Sequence, residues 1–596
     1  MKFLSKRKIL FLQCFYACLF FNSVNAKPLI AQTVSQIPQL PSTPAPQDIV
    51  PPSQQPPVQI RKPQLLPPPE ELLQPPSLPA PSNPAPIPGI VPEKIRVKRF
   101  EVIGNTIFSQ KQLDKILAPY TNQSLSFSDL FQIGSIITQL YFDKGYITSG
   151  ALIPPQTIKN GIVKIQIIEG GLEAINVTGT RRLNPFYIRA RLPKSGTPVN
   201  KQRLLEALQL LQLNPLIENI SGNLATGSNP TTSQLNVQVQ EAKTFSAQLL
   251  ADNGRSPSVG SSRRRIHLSE ANLLGLGDEL SFAYTNTNGS NGMYASYTLP
   301  INGDNGALSF NYSFDDSDVI EPPFNTLDII GNSRYYGLTL RQPVQITPNR
   351  ELAIGLSADR GESDVSSDVL KKLGYSESLL SPGADKDGNT SIWALRFFQE
   401  WTNRSSRDVF AARSQFSLGI GAFDATINSG GEPDSRFFSW LGQVQWVRQM
   451  AADTLLILRS NFQLADRALV PLEQFGVGGI DSVRGYRQDA LLGDNALFAS
   501  AEIRLPIYRA TEQQLLLQLT PFVDFGTAWN RGSKNFTERN LSNSDTLASV
   551  GLGLRLQLSE RLTVRFDWGI PLVDIDSRER IWQEKGLYFS INYNPF

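Results

Sequence analysis

Cysteine is almost missing from the 596 residues: Cys14 and Cys18 are the only two, and both fall in a segment that reads as a leader. With that segment removed, disulfides, thiolate catalysis and cysteine-ligated metals are excluded together. Histidine is scarcer still. The single His267 stands beside Arg263, Arg264 and Arg265 in a strand-like stretch. It supplies neither a catalytic triad nor a metal cage and reads as an ordinary strand side chain. Beyond the leader, nothing approaches twenty consecutive apolar residues, so any membrane span must be β. A phosphate-cradling loop is lacking too. The expectation is therefore a chain that is not an enzyme and takes no cofactor and no metal. Charge is balanced as well: without Lys2, Lys6, Arg7 and Lys8, 52 cations face 53 acids, about −1 overall. That implies no polyanion partner and no nucleic acid.

What is present falls into blocks. The four cations precede an apolar run from Ile9 to Phe21 and then Val24-Asn25-Ala26, which reads as a signal peptide cleaved after Ala26 (1–26). From 27 to 93 proline dominates, as in PSTPAPQDIVPPSQQPP. Proline lacks the N–H and resists helix interiors, so this is a disordered, partly polyproline tether of roughly 200 Å reach when fully extended. Its fragment EELLQ has at most one turn of helix in it.

Residues 95–170 then read as a β-α-α-β-β module. IRVKRFEVIG is a strand and SQKQLDKILAPY a short helix. A stronger helix from about Phe127 carries Leu130, Ile133, Ile137, Leu140 and Tyr141 on one stripe, with Ser126 or Ser128 as N-cap and Gly145 beyond its end. ITSGALIP and GIVKIQIIEG are the closing strands. Residues 171–241 repeat the plan: GLEAINVTGT, PFYIRARL, NKQRLLEALQLLQLN with Leu204, Leu208 and Leu211 inward, IENISGNL, and QLNVQVQE.

From 243 to 596 the chain turns to strands of about ten residues with a period of two. Leu280, Phe282 and Tyr284 oppose Ser281, Ala283 and Thr285. Phe438, Trp440, Val444 and Trp446 oppose Ser439, Gln443 and Gln445. Short connections near 273–277, 301–306, 346–350, 451–452 and 559–560 alternate with long polar ones near 315–332, 360–390, 422–435, 464–493 and 527–545. Apolar-out, polar-in alternation with that asymmetry predicts a transmembrane antiparallel β-barrel of about 16 strands. The fold class is thus mixed: two small α/β modules, then the barrel.

Two stretches in the barrel region carry chemistry. Val483-Arg484-Gly485-Tyr486 puts a cation and a glycine at the tip of a long loop. In Phe522-Val523-Asp524-Phe525-Gly526, parity sends Phe522, Asp524 and Gly526 inward and Val523 and Phe525 outward. An arginine on a loop folded into the lumen then meets a carboxylate, a pairing of about 1–3 kcal/mol in a wet lumen.

The modules resemble polypeptide-transport-associated (POTRA) domains. YFDKGYITSGALIPPQTIKNGIVKIQIIEG is similar to the first such domain of two-partner secretion transporters of the haemolysin-activator type. The second module departs at Thr226-Gly227, where family members often carry proline-glycine. VRGY and FVDFG resemble motifs of the same transporters and of the wider outer-membrane assembly superfamily. The resemblance implies that Arg484 meets Asp524 as a latch inside the barrel, that Gly485 supplies a turn, and that Tyr486 packs on the wall.

It also implies export of an unfolded exoprotein with an N-terminal secretion domain across a bacterial outer membrane, without nucleotide hydrolysis and with the modules in the periplasm. Membrane lipid and the barrel assembly machinery are further expected partners. A client strand is expected to add to the edge formed by Tyr146, Ile147, Thr148, Ala151 and Leu152. A barrel assembly or insertase factor and a solute porin remain open alternatives.

Overall fold

Two small modules precede a closed barrel in the computed structural model, which describes residues 72–74, 94–194, 196, 198–229, 231–322, 324–531, 545–575 and 581–596. The expected leader and most of the expected tether lie outside the described residues. Within the tether, Leu73–Gln74 forms a short strand, β1.

The first module runs β2 (Ile95–Val97), β3 (Arg99–Ile103), α1 (Gln110–Leu117), β4 (Gln123–Leu125), α2 (Phe127–Asp143), β5 (Gly150–Leu152) and β6 (Ile162–Ile168). Helix α2 starts at a reciprocal cap. The Ser126 hydroxyl accepts from the Asp129 N–H, and the Asp129 carboxylate accepts from the Ser126 N–H at 2.7 Å. It stops at Gly145, whose φ of +85° a residue with a side chain rarely adopts. Leu130, Ile133, Ile137 and Tyr141 bury against Val163, Ile165 and Ile167, the faces that the two periodicities predict.

The second module repeats the order with β7 (Gly171–Thr178), α3 (Pro185–Arg189), α4 (Lys201–Gln212), β8 (Ile217–Thr226) and β9 (Thr232–Glu241). Leu204, Leu208 and Leu211 pack on Leu235, Val237 and Val239.

Two expectations need correction. Of EELLQ, Leu73–Gln74 are strand rather than helix: β1 pairs in parallel with β8, Leu73 opposite Gly222. Leu72 and Leu73 are 0% and 4% exposed in the second module's core. An open sheet edge plus two apolar side chains outweighs a proline-rich context that offers no local structure. Second, ITSGALIP is strand only at Gly150–Leu152. Tyr146–Thr148 form a turn, because the Tyr146 N–H closes onto the Tyr141 carbonyl and the Thr148 hydroxyl donates to the Gly170 carbonyl. Ile147 packs against the second module's core.

Across the modules the Lys201 N–H donates to the Gly145 carbonyl at 2.8 Å and the Val199 N–H to the Gly170 carbonyl at 2.9 Å, while Glu169 ties the end of the first module to its own β3–α1 connection and to α2. Its carboxylate accepts from the Thr106 and Ile107 N–H groups at 2.8 and 3.1 Å and from the Tyr141 hydroxyl at 2.8 Å. The second module in turn rests on the barrel's near end. The Asn184 N–H donates to the Gly275 carbonyl at 2.8 Å, Arg182 pairs with Glu270 at 2.8 Å, and Arg191 donates to Asn305 at 2.7 Å. A Cβ at Gly277 would lie 2.2 Å from the Tyr187 ring and one at Gly303 would lie 2.0 Å from the Ala190 carbonyl oxygen. Glycine in these two turns therefore lets the module seat directly on the barrel.

Sixteen strands, from Phe245–Asp252 to Leu587–Tyr593, close into the barrel, every pair antiparallel. The first and last strands meet over Leu249–Asp252 and Ser590–Tyr593. The Asn253 side chain extends that seam by donating to the Leu587 carbonyl and accepting from the Phe589 N–H, each at 2.9 Å. Leu280, Phe282 and Tyr284 are exposed on the outer face while Ser281, Ala283 and Thr285 are buried within. Among the described residues no helix is long and apolar enough to cross a membrane. The strands are what span it.

Glu169 gives a pH prediction. Burial pushes its carboxyl up, but the hydrogen bonds from Thr106, Tyr141 and Ile107 outweigh it and hold the group below the usual value of 4.5. A depressed folded value stabilises the end of the first module above the unfolded carboxyl value, and that stabilisation is lost as pH falls through the folded one. Glu169→Gln is expected to weaken the first module by about 1–2 kcal/mol at pH 7, given its partial exposure. Limited proteolysis of the full chain in micelles should show faster cleavage near 168–171 at pH 7, the difference from wild type vanishing in acid.

Candidate functional site

The longest connection toward the lumen joins strands Thr454–Ala465 and Asn495–Ala510. It is a stiff arm. Phe475–Val477 and Leu491–Gly493 pair as a small antiparallel hairpin. Phe475, Val477, Val483, Tyr486 and Leu491 pack with Ala496, Phe498, Ala528 and Leu547 of the wall. That apolar contact excludes water around the tip, where Arg484 is wholly buried.

Arg484 meets its predicted partner and two more. Its Nε and Nη2 donate to Asp524 at 2.8 and 3.0 Å, and its backbone N–H reaches the same carboxylate at 3.2 Å. Nη1 donates to Glu502 at 2.7 Å and lies 3.6 Å from Asp567. The Ser500 hydroxyl holds Asp524 at 2.6 Å, while Arg504 and Arg565 pair with Glu502 and Asp567. Three arginines thus pair directly with three carboxylates on strands Asn495–Ala510, Leu515–Trp529 and Leu562–Pro571, and Arg459 and Arg555 lie within electrostatic reach of the same carboxylates. Beneath the guanidinium lies the Phe522 ring, 3.4 Å from its carbon to the ring centre.

The other motif residues have visible roles. Gly485, at φ +103°, turns the tip. Its N–H donates to the Tyr588 hydroxyl at 3.1 Å, which itself donates to the Tyr486 carbonyl. The Tyr486 hydroxyl lies within hydrogen-bond reach of the Ala548 and Val573 carbonyls. Val483 is buried against the wall at Gly526, where a Cβ would come within 2.4 Å of Val477 and 2.8 Å of Val483.

Sequence reasoning did not set Glu502 or Asp567 beside Arg484. It did not single out Tyr588 or Ser500. Parity alone points all four inward; what it does not say is which strands the loop tip crosses. At the proposed docking edge, only Ala151 and Leu152 lie on β5, the outer strand of the order β3-β6-β5. Even there the Ala151 N–H already donates to the Thr138 hydroxyl at 2.9 Å. Tyr146, Ile147 and Thr148 belong to the turn instead. Among the described residues no cluster of potential metal ligands occurs.

A closed barrel with an arginine-tipped loop clasped to its inner wall, carried behind modules of this order, defines a class: residues 272–594 match the Omp85 superfamily domain, and the chain belongs to that superfamily. Residues 95–170 match the ShlB-type POTRA domain, and with its relatives this makes the chain a two-partner secretion transporter of the outer membrane, modules on the periplasmic side. It is 25% identical over 477 residues to the heme/hemopexin transporter protein HuxB of Haemophilus influenzae, covering 77% of this chain and 80% of that protein. It is 24% identical over 485 residues to the outer membrane transporter CdiB of Dickeya dadantii, covering 78% and 82%. The structure of CdiB from Escherichia coli superposes with a TM-score of 0.63 at 19% identity, covering 86% of this chain and 92% of that one, a likeness of fold.

The direct pairings predict unequal effects within the cluster. Arg484→Ala leaves the buried Asp524 carboxylate without its guanidinium partner and is expected to cost loop docking about 3–5 kcal/mol. Asp524→Asn keeps a hydrogen-bond acceptor and should cost less, about 1–3 kcal/mol. Protease susceptibility of the 466–494 loop in the assembled barrel should rank Arg484→Ala above Asp524→Asn above wild type.

Proposed function

We propose that the chain takes an unfolded partner exoprotein in the periplasm through residues 95–241 and passes it through the barrel to the cell surface. The observation that carries this reading is the arm that crosses the lumen and is clasped by Arg484 to Asp524, Glu502 and Asp567. An arm held by a few directional pairs can leave the lumen as one unit, which suits a passage that must widen for a polypeptide. The arm leaves the lumen as the client enters, and the client's own folding outside prevents its return, so folding free energy supplies the direction.

Docking by strand addition at β5 requires the client backbone to replace the Thr138 hydroxyl at Ala151, with exposed Leu152 beside it. The client is an exoprotein with an N-terminal secretion domain. Outer-membrane lipid and the cell's barrel assembly machinery are the remaining partners, the latter for the chain's own insertion. The relatives are transporters, which favours this reading over an assembly factor or a solute porin.

The test is surface protease accessibility of the candidate exoprotein in cells carrying Arg484→Ala or Asp524→Ala. Export is expected to fall at least tenfold in Arg484→Ala with the barrel still assembled. The charge-swapped pair should not restore it, because an acid at position 484 would face Glu502 and Asp567. An exoprotein that reaches the surface without this chain at all would sink the export reading.

A further inference from the structure

The arm is held at its base as firmly as at its tip. Just before the hairpin, the short helix Pro471–Glu473 turns its last side chain away from the Arg484 cluster. Glu473 meets Arg396 of strand Asn389–Arg404 in a two-point fork, Nη2 donating to Oε1 at 2.6 Å and Nη1 to Oε2 at 3.0 Å. Arg396 is itself oriented by the neighbouring strands. Its Nε donates to Asp359 of Arg350–Ser367 at 2.7 Å, and Nη1 donates to the Ser417 hydroxyl of Asp408–Ile420 at 2.9 Å. The side chains of Arg396, Glu473 and Asp359 are 9%, 8% and 5% exposed.

These contacts fasten a different arc of the wall. Four strands of the barrel order separate the strand of Arg396 from that of Asp524. Between the two fastenings the arm is stiffened by its hairpin, by the Gln463 amide donating to the Glu473 carbonyl at 2.9 Å, and by the Leu469 N–H and Gln474 amide donating to Asp494 at 2.9 and 3.1 Å. Just past the tip, Arg487 forks to Glu321 at 3.1 and 2.8 Å, so a stiff arm freed at one fastening is still held across the lumen by the others.

Resting on the export reading above, we infer that Arg396, set in place by Asp359 and Ser417, is a further fastening of the export gate through Glu473, and that the arm clears the lumen only when this pair breaks together with the Arg484 cluster. Arg396 and Glu473 are then positioning residues for gating. Two independent fastenings broken in the same opening step contribute additively to its free energy, so removing each multiplies the open population. A forked, charge-assisted pair carries about a tenfold factor or more.

The test is the open probability of the purified full chain in planar bilayers with no client present, for wild type, Glu473→Gln, Arg484→Ala and the double variant. Assembly is checked by heat-modifiable electrophoretic mobility. Glu473→Gln is expected to raise the open probability on the order of tenfold, and the double variant should show the product of the single effects. Arg396→Lys keeps the charge but loses the fork, so it should fall between wild type and Glu473→Gln. It also carries the test should Glu473→Gln fail to assemble. Wild-type open probability in the assembled Glu473→Gln or Arg396→Lys chain, alone and combined with Arg484→Ala, would overturn the inference. Because no client takes part, that outcome is separate from a failure of exoprotein export.

Discussion

The hydrocarbon interior of a bilayer offers no hydrogen-bond partner, so each backbone N–H and C=O that enters it must be met by another strand. Sixteen strands closed on themselves meet that demand and leave no edge. Closure then dictates the chemistry. Successive residues alternate between lipid and lumen, so Val523 and Phe525 face outward while Phe522, Asp524 and Gly526 face inward. Polar work is confined to the inner wall and to whatever folds against it. A loop carrying Arg484 has carboxylates to meet only by coming inside.

Once inside, the loop makes its own dry environment. The packing of Phe475, Val477, Val483, Tyr486 and Leu491 on Phe498, Ala528 and Leu547 seals the tip from lumen water. The pairing is therefore not the lightly solvated contact of 1–3 kcal/mol expected from a wet lumen. In a dry setting, buried ion pairs stabilise little relative to an apolar substitute, yet they penalise any arrangement that leaves one partner unmatched. That asymmetry suits position rather than strength. The arm either sets Arg484 against Asp524 and Glu502 or leaves the buried Asp524 carboxylate without its guanidinium partner, which penalises intermediate placements.

Much of this was legible because a period of two is a strong signal whenever one face is lipid. The barrel, its near sixteen strands and the Arg484–Asp524 meeting follow from parity and two short motifs. The two modules follow from helix stripes ended by Gly145 and begun by Ser126. Other features depend on which distant segments touch, which no local pattern encodes. Glu502 and Asp567 looked like any lumen charges until the loop tip was seen to cross their strands. Leu72 and Leu73 sit in a proline-rich stretch, and only the free edge of β8 makes Leu73 part of a strand. The Tyr146–Thr148 segment has strand-like composition, but its turn is set by Tyr141 and Gly170.

The same physics explains why charge works beside apolar packing in holding the movable part to its wall. An arm attached by grease alone would expose that surface on leaving, at roughly 25 cal/mol for each Å² wetted. Ions leaving a dry contact instead recover their hydration, which offsets most of the Coulomb energy they give up. The hairpin keeps Phe475 and Leu491 on opposite strands of one small unit, so part of its apolar packing travels with it. What must be broken is then concentrated in a few directional pairs, and such contacts can be remade in the same register when the lumen empties.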